Sequence, residues 1–239
     1  MERLTTHRRD GVITGAFFIT ATVTAIIGLA LYDPILKNAD SLAAASANSN
    51  QIALGALFEL ILAIANIGTG IMLFPFLRRY SESWGLAYVC FRMLEVVFIL
   101  IGILSLLSLL KLSQDYGNTS GPELATLQIA ANTLKTIHSW AFILGPHFML
   151  GVNTFIYSSI FYRSGLVSRN LSILGLIGAV LILIAAILEL FGIIPHFSMQ
   201  IILFALPIAV YEMVLAVRLI RKGFHLQLVS GQGYLSETH

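Results

Sequence analysis

Six long apolar runs, separated by shorter polar segments, dominate the hydrophobic pattern of this chain. They cover residues 11–32, 52–77, 85–110, 137–162, 170–190 and 197–217. A helix of about 20 apolar residues, rising about 1.5 Å per residue, crosses the hydrocarbon layer of a bilayer. The pattern therefore predicts an all-α fold, a polytopic bundle of six transmembrane helices that forms a single domain over residues 11–222.

The polar segments predict the rest of the organisation. Residues 1–10 are a short N-terminus, residues 223–239 a polar and disordered tail, and residues 33–51 a solvent loop rich in Asn and small residues. The third connection, residues 111–136, predicts an amphipathic helix because Pro122 suits a first helical turn and leucines follow at helical spacing. This helix either lies on the membrane surface or extends the fourth span.

Glycine and proline predict local features within the spans. Gly145 and Pro146 interrupt the fourth span, which predicts a kink there, and Pro207 lies near the middle of the sixth. Gly175 and Gly178 are interpreted as positions where helices pack closely.

Composition and charge agree with a membrane protein. Hydrophobic residues make up 57% of the chain and charged residues 11%, whereas soluble domains have about a quarter charged residues. Ten Lys and Arg residues fall in the N-terminus, the second and fourth connections and the tail, against three in the other connections. This asymmetry places both termini in the cytoplasm, with the protein in the plasma membrane. The excess of basic residues thus indicates the orientation of the chain in the membrane. The expected partner is the lipid bilayer, and a nucleic-acid partner is not expected.

Motifs for cofactors are not expected. Cys90 is the single cysteine and falls within the third run, so we predict no disulfide and interpret it as a small core residue. His138, Glu189 and His196 were considered as metal or haem ligands, but no pair has the one-turn spacing of a helical ligand motif. We predict that these three are interface residues in contact with water and that the chain holds no metal or cofactor.

Ionisable residues inside the apolar runs are the strongest functional signal. Arg92 and Glu95 lie three residues apart and share one helix face. Charges at bilayer depth cost on the order of 3 kcal/mol each, so they are rare and mark functional sites. Comparison of depths predicts that Glu59 pairs with His147 and that Arg92 pairs with Glu212. Glu95 lies near the midplane, with only Arg92 as a cation on its own face.

Three of the predicted spans carry stripes of small and polar residues. The stripes are Glu59, Ala63, Asn66 and Gly70; Tyr88, Arg92, Glu95 and Gly102; and His147, Gly151, Thr154 and Ser158. Such stripes let helices approach and satisfy polar groups without water. We predict a buried polar seam bordered by spans two, three, four and six. The candidate ligand-binding or proton-exchange residues are Glu59, Asn66, Tyr88, Arg92, Glu95, His147 and Glu212.

Several of these segments together resemble a bacterial family of multi-pass membrane proteins catalogued as a domain of unknown function. The segments are Phe91-Arg92-Met-Leu-Glu95, the loop before the second span, His138 and His147, and Tyr162-Arg-Ser-Gly165 leading to Ser168-Arg169-Asn-Leu-Ser-Ile-Leu-Gly175. The resemblance covers residues 8–222 and implies the six-span fold and the membrane location, with no activity. Ser168 stands where the family often has proline. Because proline restricts the backbone, the turn at Ser168 is not expected to share the rigidity that proline gives it in the family.

Three functions remain open. The first is binding or transport of a small polar or amphiphilic ligand held by Arg92 with Glu95 and Glu59, coupled to proton exchange at a carboxylate or His147; an axial, water-reachable cavity would favour it. The second is an intramembrane enzyme acting on a lipid or isoprenoid, which needs His147 and Glu95 to converge. The third is a structural or partner-binding subunit, in which all buried charges pair with each other. The sequence identifies no catalytic residue and no oligomeric state.

Overall fold

The computed structural model describes residues 2–114, 116, 120–196 and 198–224, which form eight α-helices and one π-helical segment and contain no β-strand. The elements are α1 (Glu2–Leu36), α2 (Ser41–Ala47), α3 (Ser49–Leu77), α4 (Glu82–Ser113), α5 (Pro122–Phe142), the π segment (Ile143–Met149), α6 (Leu150–Ser164), α7 (Arg169–Leu190) and α8 (Met199–Lys222). The predicted all-α fold is confirmed. Of the predicted tail, residues 225–239 lie outside the described residues.

Five of the described helices are long and apolar enough to cross a membrane, namely α1, α3, α4, α7 and α8. They make the chain an integral membrane protein. The outer surface of these helices is apolar, with exposed aliphatic side chains such as Ile64, Leu104 and Ile202, which are 57% to 65% exposed. The fourth predicted span differs because its helix is divided into α5, the π segment and α6.

The long helices close into a ring. α1 packs on α3, α3 on α4, α4 on the π segment and α6, these two on α7, α7 on α8, and α8 back on α1. Each helix therefore presents one face to the interior of the ring and the opposite face outward. The stripes predicted on the second, third and fourth spans all lie on the interior face.

Cys90 corrects one expectation from the sequence. It is exposed on the outer face of α4, whereas we predicted a small core residue. The inward face of α4 is defined by Tyr88, Arg92 and Glu95, all of which are buried. Cys90 is two residues from Arg92, about 200° around the helix, and therefore points away from the interior.

The interruption of the fourth span is a change of helix type. Residues Ile143–Met149, which include Gly145 and Pro146, form the π segment and join α5 to α6. A Cβ atom on Gly145 would lie 2.7 Å from Phe98 Cβ, so glycine allows α4 to approach here. The structure thus interrupts the regular α-helix at Gly145 and Pro146, and α5 runs directly into the π segment and α6.

The predicted solvent loop at residues 33–51 is wrong in its central part, which forms α2. Asp40 Oδ1 caps this helix by accepting a hydrogen bond from the backbone N–H of Ala43 at 3.1 Å. Leu42 is fully buried in an apolar cluster shared with α1 and α4. Burial of Leu42 holds one face of this short helix against the cluster. The sequence did not predict the helix, because Leu42 is surrounded by small residues that are also typical of loops.

The packing role of the two α7 glycines is confirmed. A Cβ atom on Gly178 would lie 2.9 Å from the backbone nitrogen of Ile208 on α8, so the two helices approach to backbone distance. Gly175 has the Tyr211 ring and the Ser158 hydroxyl directly against it. α7 and α8 therefore form a tight wall beside the interior of the ring.

Candidate functional site

Arg92 and Glu95 on α4 form a buried ion pair inside the ring. Arg92 is 1% exposed and Glu95 is 3% exposed. Arg92 Nη1 donates to Glu95 Oε2 at 2.9 Å, as their three-residue spacing allows. The predicted ion pair between Arg92 and Glu212 is wrong, because Arg92 bonds to Glu95 instead. Glu212 on α8 is still near enough to interact electrostatically with Arg92.

Glu95 joins three helices. Asn66 Nδ2 on α3 donates to Glu95 Oε1 at 2.9 Å, and Asn153 Nδ2 on α6 donates to Oε2 at 2.7 Å. Together with Arg92, Glu95 accepts three hydrogen bonds, close to the roughly four that a carboxylate offers. Glu95 is therefore the point at which α3, α4 and α6 are tied together in the interior.

Asn153 was missed by the sequence reasoning. The stripe predicted along the fourth span consists of His147, Gly151, Thr154 and Ser158 and leaves out Asn153. Because α6 packs on both α4 and α7, its buried face is wider than that stripe and also includes Asn153. The one available signal was an amide side chain within an otherwise apolar run.

Aromatic rings close one side of the ion pair. The Tyr88 ring centroid lies 5.9 Å from Arg92 Cζ, within the range of a cation–π contact. Tyr157 on α6 meets Tyr88 edge-on at 5.6 Å and stacks on Tyr211 of α8 at 5.9 Å. The Ser158 hydroxyl donates to Tyr211 Oη at 2.9 Å. Tyr157 and Tyr211 were not predicted, because an aromatic residue in an apolar run has no distinguishing pattern.

Several polar atoms around the pair have no hydrogen-bond partner among the described residues. They are Arg92 Nε, Asn153 Oδ1, Thr154 Oγ1 and Tyr157 Oη, and all are buried. The hydroxyls of Thr154 and Tyr157 are near each other but do not form a hydrogen bond of good geometry. One donor and three oxygens are thus presented to the same interior region, which we call the polar centre.

Glu59 lies in a second buried cluster, nearer the N-terminal end of α3 than Asn66. The predicted pair of Glu59 with His147 is wrong: Glu59 is next to the Tyr32 hydroxyl of α1 and shares a cavity of about 10 Å³ with His138. The His138 ring meets the Tyr32 ring edge-on at 5.9 Å. Comparison of depths failed here because it left α1 out of account.

His147 belongs to a third cluster, which reaches the surface. His147 Nδ1 bonds to Glu189 Oε2 at 2.5 Å, and Glu189 Oε1 bonds to His196 Nδ1 at 3.2 Å. His138 and Glu189 are buried, so the expectation that they merely contact water is wrong. His196 is 35% exposed and is the outer member of this chain of three groups. Phe142 covers His147 with its ring edge-on at 4.8 Å.

The three functional hypotheses predicted different geometries. The enzyme needs His147 and Glu95 to converge, but His147 is bonded to Glu189. The structural subunit needs complete pairing, but Glu59 and Glu212 form no ion pair with any residue that the structure describes. Transport is favoured by an axial cavity, yet the polar centre is buried, with Arg92, Asn153 and Tyr157 at most 1% exposed, and neither Arg92 nor Glu95 lines the small cavity beside Glu59.

Comparison with known proteins gives one match. A family model described as a domain of unknown function (DUF4386) matches residues 13–223, which is most of the chain. No curated protein and no solved structure matches this chain.

Proposed function

Because the chain belongs to the DUF4386 family, whose description assigns no activity, we propose a function from geometry alone: the polar centre binds or transports a small polar or amphiphilic ligand within the membrane. Membership of this family confirms the resemblance drawn from the sequence. Proton exchange at a buried carboxyl group accompanies binding in this proposal.

The proposed topology has six spans with both termini in the cytoplasm and the protein in the plasma membrane. Support comes from the ring, in which the π segment and α6 occupy the place of a sixth member between α4 and α7. An even number of crossings puts both termini on one side. The excess of Lys and Arg at that side favours the cytoplasm.

The observation that carries the proposal is the set of unpartnered polar atoms in the polar centre. A buried polar group without a hydrogen bond costs about 1–3 kcal/mol. A purely structural ion pair gains nothing from surrounding itself with such groups. A ligand that accepts from Arg92 Nε and donates to the Asn153, Thr154 and Tyr157 oxygens would satisfy them.

The charge balance of the polar centre supports proton exchange. Arg92 is neutralised by Glu95, which leaves Glu212 as a second carboxyl group near the same guanidinium. An unpaired carboxylate in a low-dielectric interior is costly unless it gains a proton or a cation. Glu212 is therefore the proposed site where a proton is held and released.

Ligand entry requires helix movement, because Arg92 and Tyr157 are at most 1% exposed. The π segment, which contains Pro146, interrupts regular α-helix, and Pro207 lies inside the continuous helix α8. Discontinuous helices of this kind commonly border transporter sites. These two positions are the proposed hinges.

A thermal-shift screen of a metabolite library against the purified full chain tests the proposal, with three single variants for each ligand found. Tyr157→Phe should reduce the ligand-induced thermal shift by at least half. It should leave the unliganded protein as stable as wild type, because it removes an unpartnered hydroxyl. Arg92→Gln should also lose the shift. Tyr211→Phe is the control: it loses the bond from Ser158 but should keep the ligand response.

Two outcomes oppose the proposal. A ligand that shifts all three variants as it shifts wild type binds elsewhere, and the polar centre is then not its site. A Tyr157→Phe protein that is clearly less stable without ligand would show that the hydroxyl is bonded within the protein.

A further inference from the structure

A surface cavity of about 230 Å³ lies at the end of the bundle where α3 ends and α4 begins, about one helical turn beyond Tyr88 and Tyr157. It is lined by Tyr80, Ser81, Trp84, Ser159, Ile160 and Arg163. The side chains come from the α3–α4 turn, the first turn of α4 and the last two turns of α6. Tyr80 and Trp84 are 46% and 42% exposed, so the cavity opens at the protein surface.

Arg163 is the cation of this cavity and is distinguished from its neighbours. Three arginines in the two neighbouring connections lie over aromatic rings: Arg78 at 5.6 Å, Arg79 at 6.0 Å and Arg169 at 5.8 Å from a ring centroid. Arg163 makes no hydrogen bond, ion pair or ring contact with any residue that the structure describes. Its guanidinium is therefore free to bind a ligand.

The lining favours a phosphate group. A guanidinium binds phosphate with two parallel N–H···O bonds, and the hydroxyls of Tyr80, Ser81 and Ser159 add donors around the same cavity. Glu82, the acidic residue next to this turn in sequence, does not line the cavity. The residues that line the cavity thus include no carboxylate that would compete for Arg163.

Size and location favour a lipid head group. A volume of about 230 Å³ is below the roughly 300–1,000 Å³ of pockets that enclose whole drug-sized ligands. Tyr and Trp beside arginine are typical of the membrane–water interface, where phospholipid phosphates lie. The apolar side of Trp84 and Ile160 matches the glycerol and upper acyl region of a lipid whose chains remain outside.

The geometry points to a phosphate site in which Arg163 and the surrounding hydroxyls hold the head group of an anionic phospholipid. A free phosphate ion has the same chemistry and is the other source that the experiment must separate. This site is independent of the function proposed for the polar centre, since the two share no residue.

Titration of the purified full chain with phosphatidylglycerol, followed by native mass spectrometry, tests the site. Arg163→Gln should weaken binding about fivefold, the change expected for one basic residue near an anionic head group. Ser159→Leu should weaken it similarly by filling the cavity without changing the charge. Arg169→Gln is the matched control, because Arg169 lies on the Tyr162 ring outside the cavity and should change binding less than twofold.

Two further titrations identify the source and the class of ligand. Inorganic phosphate at millimolar concentration should not displace phosphatidylglycerol, and phosphatidylcholine should bind at least fivefold more weakly. Displacement by inorganic phosphate would overturn the lipid assignment in favour of a free phosphate. Equal binding by wild type, Arg163→Gln and Ser159→Leu would overturn the site itself, as would equal effects of Arg163→Gln and Arg169→Gln.

Discussion

Replacing Glu95 with Gln should be far more damaging than replacing Arg92 with Met, although the two residues form one ion pair. Glu95 accepts hydrogen bonds from Arg92, Asn66 and Asn153 at 2.9, 2.9 and 2.7 Å. Glu95→Gln keeps the side-chain shape but removes the charge that neutralises Arg92. A guanidinium stays protonated in proteins, so Arg92 would lose its bonded counter-ion and keep only the electrostatic interaction with Glu212, which forms no ion pair with it.

The magnitudes follow from the burial of both partners. Removing one partner of a buried ion pair costs about 3–5 kcal/mol. Interhelical hydrogen bonds in membranes average about 0.6 kcal/mol and reach about 1.7, so lost hydrogen bonds alone would not reach that figure. Arg92→Met should cost only about 1–2 kcal/mol, because Glu95 keeps both amide donors and can be neutralised by a proton. The double variant should be more stable than Glu95→Gln alone.

Reversible unfolding in mixed micelles, followed by circular dichroism as the fraction of denaturing detergent rises, measures these differences. The two single variants and the double variant together give a coupling energy, expected to be at least about 2 kcal/mol. If Glu95→Gln lies within about 1 kcal/mol of wild type, or if Arg92→Met costs more than Glu95→Gln, the argument from a guanidinium without its bonded counter-ion is wrong.

Three other predictions concern packing, orientation and pH. Gly178→Ala should destabilise the protein by about 1–3 kcal/mol through contact with α8, whereas Gly70→Ala should not, since its Cβ would lie 3.7 Å from the nearest side chain. Cys90 should resist a charged maleimide in intact vesicles and react after denaturation, because it lies on the outer face of α4 between the exposed apolar side chains Leu86 and Leu94. The Ala43 N–H and the Tyr116 hydroxyl lower the pKa of Asp40, so its stabilisation holds above the unfolded pKa and is lost as pH falls through the lower folded value. The protection factors of the α2 amides against hydrogen exchange should therefore fall in acid, and Asp40→Asn should remove that pH step.

Each of these has a contrary result. Equal stability of the two glycine variants would mean that α7 and α8 do not approach to backbone distance. Rapid labelling of Cys90 in intact vesicles would place that face of α4 in water. If the change in hydrogen exchange of α2 in acid is the same in the Asp40→Asn protein, a group other than Asp40 causes that change.

The helices and their inward faces could be predicted from the sequence because both follow from local periodicity. Each stripe of small and polar residues repeats every three or four positions, and all the stripe residues are buried in the structure. The Arg92–Glu95 contact was equally local, since three residues separate the pair on one helix. Predictions that rested on the periodicity of a single helix therefore held, whereas Cys90, which was interpreted without regard to its helix face, was wrong.

Contacts between helices could not be predicted from depth alone. His147 was matched to Glu59 by depth, but the π segment and the position of α7 bring it to Glu189. The direction in which a side chain points depends on register and on which helices are neighbours in the ring. Asn153 was missed for the same reason, since α6 has two neighbours, α4 and α7, and its buried face is therefore wider than one stripe.

An experimental density map of the protein in a lipid nanodisc, with side chains visible around Arg92, tests the central claim most directly. The account predicts the Arg92 guanidinium inside the ring, with Nη1 near 2.9 Å from Glu95 Oε2 and the amides of Asn66 and Asn153 on the same carboxylate. A guanidinium directed at lipid head groups, or a Glu95 carboxylate without either amide, would contradict it.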